Sequence, residues 1–195
     1  DEEGRDPTAM IRATKEAIAL LHLLRKDTLV LPGFGWRPPG DGFLKITTDG
    51  ALNLADGRGG TGGIARSPTA LLGAWCKPYV GISDPLIMEG LSLRDGVRFA
   101  ALRGFSHVIM EVDCLELVTL WTTRHNSRSI VAPLLLEIGE LSTQFSSFVI
   151  QHVNRSANLP AHLCAKRACT LNVTDSWLDE TPSFLVSSLL ADCSK

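Results

Sequence analysis

The chain has 195 residues, of which 45% are hydrophobic and 21% charged, with a formal net charge of −2 and a pI near 6.2. That length suits one domain with appendages, large enough to bury a core without covalent staples. The charge balance excludes a uniformly basic nucleic-acid binder but leaves room for a local basic patch.

Asp6-Pro7 opens the first predicted helix, a capping aspartate followed by proline at the first helical position. Met10, Ala13, Ala17, Leu20 or Leu21, and Leu24 recur at helical spacing through Arg25. Leu31 to Gly40 is a linker by its proline and glycine content, and residues 1–40 are set apart from a main domain at 41–170. Phe43 to Thr48 reads as the first strand, ending at Asp49 and broken at Gly50. Leu52 to Gly60 reads as a loop. Strands at Gly62–Arg66 and Leu71–Cys76 complete an antiparallel meander. The glycines from Gly57 to Gly63 lack the Lys-Ser/Thr of a phosphate loop and lead into a strand, so close packing is expected of them.

Ser83-Asp84-Pro85 starts a helix with Leu86, Gly90, Leu93, Val97 and Ala100 inward, ending at Arg103-Gly104. His107 to Val112 is a strand, apolar on both faces apart from Glu111, as suits a covered sheet. A short helix spans Cys114 to Thr122. Ser129 caps the next, with Ile130, Leu134, Ile138, Leu141 and Phe145 as its stripe. Phe148 to Val153 is the fifth strand, Asn154 to Asn158 a polar loop, and Leu159 to Thr170 the closing helix. Helical crossovers make the last two strands parallel. The expectation is an α/β fold: a mixed five-stranded sheet, three antiparallel strands then two parallel, flanked by helices. Residues 171–195 form a tail whose apolar content predicts docking on that domain.

The cysteines are Cys76, Cys114, Cys164, Cys169 and Cys193. Their odd number and irregular spacing point to free thiols in a reducing compartment. No apolar leader opens the chain and no run approaches the ~20 apolar residues of a membrane helix. The expectation is an intracellular protein, nuclear or cytoplasmic, with no membrane partner. Asp49, Glu89 and Asp113 are delivered by two strand ends and an intervening helix. Three such acids suit hard divalent cations. Taken singly each is an ordinary solvated acid, and Glu89 is justified by a helix N-terminus alone.

A resemblance sharpens this. Trp36-Arg37-Pro38-Pro39, Leu44 to Ala51 and Gly59 to Arg66 resemble the opening of plant ribonuclease H-like domains of the reverse-transcriptase-like family. Met88-Glu89-Gly90-Leu91-Ser92-Leu93 is similar to its Ala-Glu-Ala-x-Ala-Leu, and Glu111-Val112-Asp113-Cys114 to its Glu-Ser-Asp-Ser. His152 to Ala165 resembles its His-Val-x-Arg-x-x-Asn-x-x-Ala-Asp/His-x-Leu-Ala. The match covers roughly residues 36 to 190 in the family's order, and the set is specific where each piece is weak.

The resemblance implies a ribonuclease H-like fold and cleavage of the RNA strand of RNA–DNA hybrids with two Mg2+, or Mn2+. Carried over by position, the catalytic and metal-binding residues are Asp49, Glu89, Asp113 and His162. His162 stands where the best-known members have a fourth carboxylate, and its imidazole suits Mn2+ better than Mg2+. Arg155 and Asn158 are expected to contact substrate, one pairing with phosphate and one hydrogen-bonding. The loop backbone near Ala51 to Asn53 and the Glu89 carboxylate are expected to meet 2′-hydroxyls. His107 and His152 are expected as core or sheet residues. The basic residues are scattered, and no basic insertion lies between Asp113 and Ser129, so weak, salt-dependent binding is expected. Such domains follow a reverse transcriptase in retroelement polyproteins, so an upstream domain of that kind is an expected partner. Oligomeric state is left open. The competing readings are a degenerate, non-cutting nucleic-acid or protein-binding module and a structural appendage of a larger polypeptide.

Overall fold

The computed structural model describes residues 35–178 and 180–193. The expected helix from Asp6 to Arg25 and the first part of the linker lie outside them. A meander of β1 (Leu44–Asn53), β2 (Arg58–Arg66) and β3 (Leu71–Val80) leads through helix α1 (Pro85–Leu102) to β4 (His107–Val112). Helices α2 (Leu115–Thr122) and α3 (Ala132–Ser142) precede β5 (Ser147–His152). Then come α4 (Leu159–Leu171), β6 (Asp175–Leu178) and α5 (Ser183–Cys193).

The sheet has six strands in the order β5-β4-β1-β2-β3-β6, one more than the sequence predicts. The addition is β6, antiparallel to β3 from Gly73↔Leu178 to Cys76↔Asp175. Its four residues are too few to show an alternation of their own, and the pairing comes from the docking of the chain around it. β1 pairs antiparallel with β2 and parallel with β4, and β4 pairs parallel with β5.

β1 does not stop at Asp49. Its ladder with β4 ends at Thr48↔Val112, but its ladder with β2 runs on to Asn53↔Arg58. Only residues 54–57 form the turn, so the expected loop from Leu52 to Gly60 is mostly strand. Strand residues point alternately to the two faces. Ile46, Thr48 and Gly50 face α1, while Lys45, Thr47 and Asp49 take the opposite face, part of which α4 covers.

Asp84 caps α1, its Oδ1 accepting from the amides of Leu86 (2.7 Å) and Ile87 (3.3 Å), with Pro85 in the first turn. This is the start expected, since proline there costs no hydrogen bond. α3 begins at Ala132 rather than after Ser129, because Pro133 is tolerated only in a helix's first turn. Ile130 is consequently 59% exposed instead of joining the stripe. On the α1 side Ile46, Leu93, Val97, Val108, Met110, Leu135 and Ile138 form the main core. On the other side Ile64, Ala74, Cys164, Ala168 and Leu185 form a smaller one.

Glycines set the spacing of the layers. A Cβ on Gly50 would lie 2.8 Å from the Met88 carbonyl carbon and oxygen, so only glycine lets α1 sit this close to β1. A Cβ on Gly60 or Gly62 would collide with the backbone of α4 at Ala165, Cys164 or Cys169. The glycine run is thus packing space, as its lack of phosphate-loop chemistry implies. At the far end, Leu185 of α5 is fully buried and contributes about 1.5–3 kcal/mol. Asp192 pairs with Arg66 at 2.6 Å, both buried, and Trp36 covers the Arg66 guanidinium at 3.7 Å.

Candidate metal centre

The centre forms where β1 and β4 part. Thr48 and Val112 are the last paired residues, and the next positions are Asp49 and Asp113. Adjacent parallel strands therefore deliver two carboxylates side by side. Glu89, one turn into α1, is brought over by the close approach at Gly50. Asp49, Glu89 and Asp113 each offer an oxygen, and these atoms all lie within 4.8 Å of one another. Asp49 is 4% exposed, and Ser92 Oγ donates to its backbone carbonyl at 2.6 Å.

Burial and crowding make the set costly without a cation. Burial, then the neighbouring Asp113, raises the Asp49 carboxyl to about 6, against the pull of a hydrogen bond from His162 and the charges of His162 and Arg155. Burial, then Asp49 and Asp113, raises Glu89 to about 9, with the Gly50 amide and Arg155 acting the other way. Glu89 Oε2 is buried with no hydrogen-bond partner among the described residues. A buried carboxylate oxygen without a donor, beside two other acids, is a donor set that suits a hard divalent cation. The residues fit such an ion.

His162, on the first turn of α4, places Nδ1 2.8 Å from Asp49 Oδ2. It belongs to the site, yet it is not one of the three residues whose oxygens cluster. A cleft of about 330 Å³ opens over the acids, lined also by Pro85, Leu86, Cys114, Glu116, Arg155 and His162. Arg155, in a single 3-10 turn at Arg155–Ala157, is the one arginine lining the cleft among the described residues.

Asn158 departs from expectation. It is fully buried, and its Nδ2 donates to the Thr48 carbonyl and to Asp49 Oδ1, both at 3.2 Å. A side chain with no exposed surface and both donor bonds spent inward cannot meet a substrate. Ala51 and Asn53 lie beyond the cleft lining on the β1 extension, where Asn53 Oδ1 accepts from the Ala55 amide. His107 and His152 lie on β4 and β5 as expected, but both are exposed rather than in the core. The sequence reading missed Glu116, three residues after Asp113 in the first turn of α2, which carries a further carboxylate to the rim. The available signal was an acid in the first turn of a helix that starts directly after Asp113. It also missed Ser92, which lies one turn after Glu89 on the inner face of α1.

Three solved structures share the fold. RNase H1 from the halophilic archaeon Halobacterium salinarum NRC-1 matches with a TM-score of 0.60 at 20% identity, over 65% of this chain and 96% of that one. The N-terminal RNase H domain of a Mycobacterium tuberculosis protein, solved as a fusion with maltose-binding protein, gives 0.60 at 20%, over 66% and 94%. LC11-RNase H1 in complex with RNA/DNA hybrid gives 0.60 at 15%, over 66% and 98%. No curated protein matches the chain in sequence. Among the described residues, no helix is long and apolar enough to cross a membrane. The family model described as reverse transcriptase-like matches residues 47–168, a span holding all three clustered acids and His162, and the chain belongs to that family.

Proposed function

We propose that this protein is a metal-dependent endoribonuclease that cleaves the RNA strand of RNA–DNA hybrids. The observation that carries the reading is the meeting of Asp49, Glu89 and Asp113 within 4.8 Å, with two of the three protonating far above the usual carboxylate range. Such a set is repulsive when ionised and is relieved by divalent cations. In this reading Asp49, Glu89 and Asp113, with His162 as a fourth ligand, would hold two divalent ions, Mg2+ or Mn2+. When bound, the ions supply a nucleophilic water at neutral pH and neutralise charge on the leaving 3′ oxygen.

The remaining work falls to the chain itself. Arg155, the lining arginine of an otherwise acidic cleft, pairs with a substrate phosphate. Pro85 and Leu86 line the same cleft with apolar surface beside the acids. The backbone near Ala51 and Asn53 meets 2′-hydroxyls across the hybrid's minor groove. Support for this substrate class comes from the fold shared with LC11-RNase H1, which was solved with RNA/DNA hybrid. A foamy viral protease-reverse transcriptase in complex with RNA/DNA hybrid matches at a TM-score of 0.52 and 11% identity, over 75% of this chain and 22% of that one. Retroelement descent of the plant type, with a reverse-transcriptase domain upstream, belongs to the same proposal.

A second reading, a module that binds without cutting, is favoured by one observation: His162 spends Nδ1 on Asp49 and stands outside the clustered acids. The deciding experiment is cleavage of a labelled hybrid in Mg2+ and in Mn2+ by the parent and by Asp49→Asn. Metal-dependent cleavage lost in the variant supports the nuclease. Parent protein that leaves the hybrid intact in both metals supports the non-cutting module, and equal cleavage by both proteins removes Asp49 from the reaction.

A further inference from the structure

Helix α4 reaches Asp49 with two side chains one turn apart. Asn158 and His162 stand at i and i+4, the spacing that places both on one face. They divide the Asp49 carboxylate between them: Asn158 Nδ2 donates to Oδ1 and His162 Nδ1 meets Oδ2. An ionised carboxylate has about four lone-pair sites, two on each oxygen. One bond per oxygen leaves each oxygen free to bind one cation. Without the Asn158 bond, the carboxylate keeps only the contact of its Oδ2 with His162, and one contact fixes its orientation less well than two.

We propose that Asn158 is the positioning residue of the metal centre, holding Asp49 in the orientation from which its two oxygens can bridge two ions. Three observations on this chain carry the assignment. Asn158 is fully buried and both hydrogen bonds of its Nδ2 run to β1, while its Oδ1 has no hydrogen-bond partner among the described residues. The same Nδ2 also donates to the Thr48 carbonyl, so the amide is anchored to the backbone of the very strand it orients. Finally, the approach of α4 depends on Gly60 and Gly62, where any side chain would meet the helix backbone. The helix is held close enough for a side chain as short as asparagine to reach.

The proposal rests on the two-metal reading above, and its test separates the two. Mn2+ binding is measured by calorimetry and by electron paramagnetic resonance on the parent, Asn158→Ala and Asn158→Leu, with thermal melts in EDTA and in excess Mn2+. The parent is expected to bind two ions and show the spectrum of a spin-coupled pair. Both variants are expected to bind Mn2+ about 10- to 100-fold more weakly, the usual cost of removing a group that orients a ligand. They should also lose the coupled spectrum while keeping a single weakly held ion on Glu89 and Asp113. Leucine fills the space without the donor, so a folding failure of the alanine variant leaves the test intact. A purely structural asparagine lowers the melting temperature in EDTA but leaves the Mn2+ affinity and the coupled spectrum of the folded protein unchanged. That result overturns the proposal. A parent that binds no Mn2+ overturns the metal centre itself, and the positioning role with it.

Discussion

The imidazole Nδ1 of His162 lies 2.8 Å from Oδ2 of Asp49, joining α4 to β1 across the mouth of the cleft. With Asp49 ionised and His162 neutral, this contact is a hydrogen bond only if Nδ1 carries the proton, which leaves the lone pair on Nε2. With Nδ1 spent on Asp49, the ring orients the Asp49 carboxylate and keeps only Nε2 as an acceptor. We predict the Nδ1-protonated tautomer in metal-free protein, read from two-bond nitrogen–proton correlations of the imidazole. His162→Asp should raise Mg2+-dependent cleavage, and His162→Ala should lower Mn2+-dependent cleavage. Identical cleavage by all three proteins in both metals would remove His162 from the site.

Glu89 gives a stability prediction with a definite sign. Its carboxyl protonates near 9 in the folded protein, because of burial and the neighbouring acids, against a reference value of 4.5. Between those values the folded state keeps a proton that the unfolded chain has released, so stability falls as pH rises across the window. Asp49 adds the same slope between 3.8 and about 6. In EDTA the melting temperature should therefore fall from pH 5.5 to pH 8.5, by about 2–4 °C per kcal/mol lost for a chain of this size. Glu89→Gln should flatten that fall, and saturating Mn2+ should abolish it in the parent. A melting temperature that rises over the range would contradict the assignment.

Gly62→Ala tests the spacing of the layers. The new Cβ collides with the backbone at Cys164 and Ala165, and overpacking of this kind costs about 1–3 kcal/mol. Displacing α4 also withdraws Asn158 and His162 from Asp49, so Mn2+ affinity should fall together with stability. Equilibrium unfolding and calorimetry on the one variant measure both effects.

The buried pair Lys45–Glu111 ties β1 to β4 just before the strands part. Lys45 Nζ lies 2.7 Å from Glu111 Oε1, which also accepts from Gln151 Nε2 at 3.0 Å, and Glu111 is 2% exposed. Lys45→Met should destabilise by about 3–5 kcal/mol, because it leaves the buried Glu111 carboxylate without its cation, held only by Gln151 and Thr47. Adding Glu111→Leu should recover much of the loss. Urea titrations of the single and double variants give the coupling, and a double variant no more stable than Lys45→Met would contradict this account.

Much of this architecture can be read from residue order, and the exceptions share a cause. β4, α1 and α4 announce themselves through an apolar strand run, an Asp-Pro start and a helical stripe. The three acids follow, since two end on neighbouring strands and one lies a turn into the connecting helix. Asn158 was misread because its partners are 109 and 110 residues away and its burial depends on glycines in another strand. β1 was cut short at Gly50 because a glycine in sequence suggests a break. In the fold it is the point where α1 presses on an uninterrupted strand. β6 was missed because four residues carry little periodicity and their pairing comes wholly from β3.

The parting of β1 and β4 has a mechanical consequence. Beyond Thr48↔Val112 no backbone rung ties the two strands together, although each carries an acid of the site just past that point. Ionised, Asp49 and Asp113 push the fork open; a cation between them would act as a rivet, closing it where hydrogen bonding stops. The amides at the head of the fork would then exchange with solvent at a rate set by the ion, making the end of the sheet a gauge of whether the site is loaded.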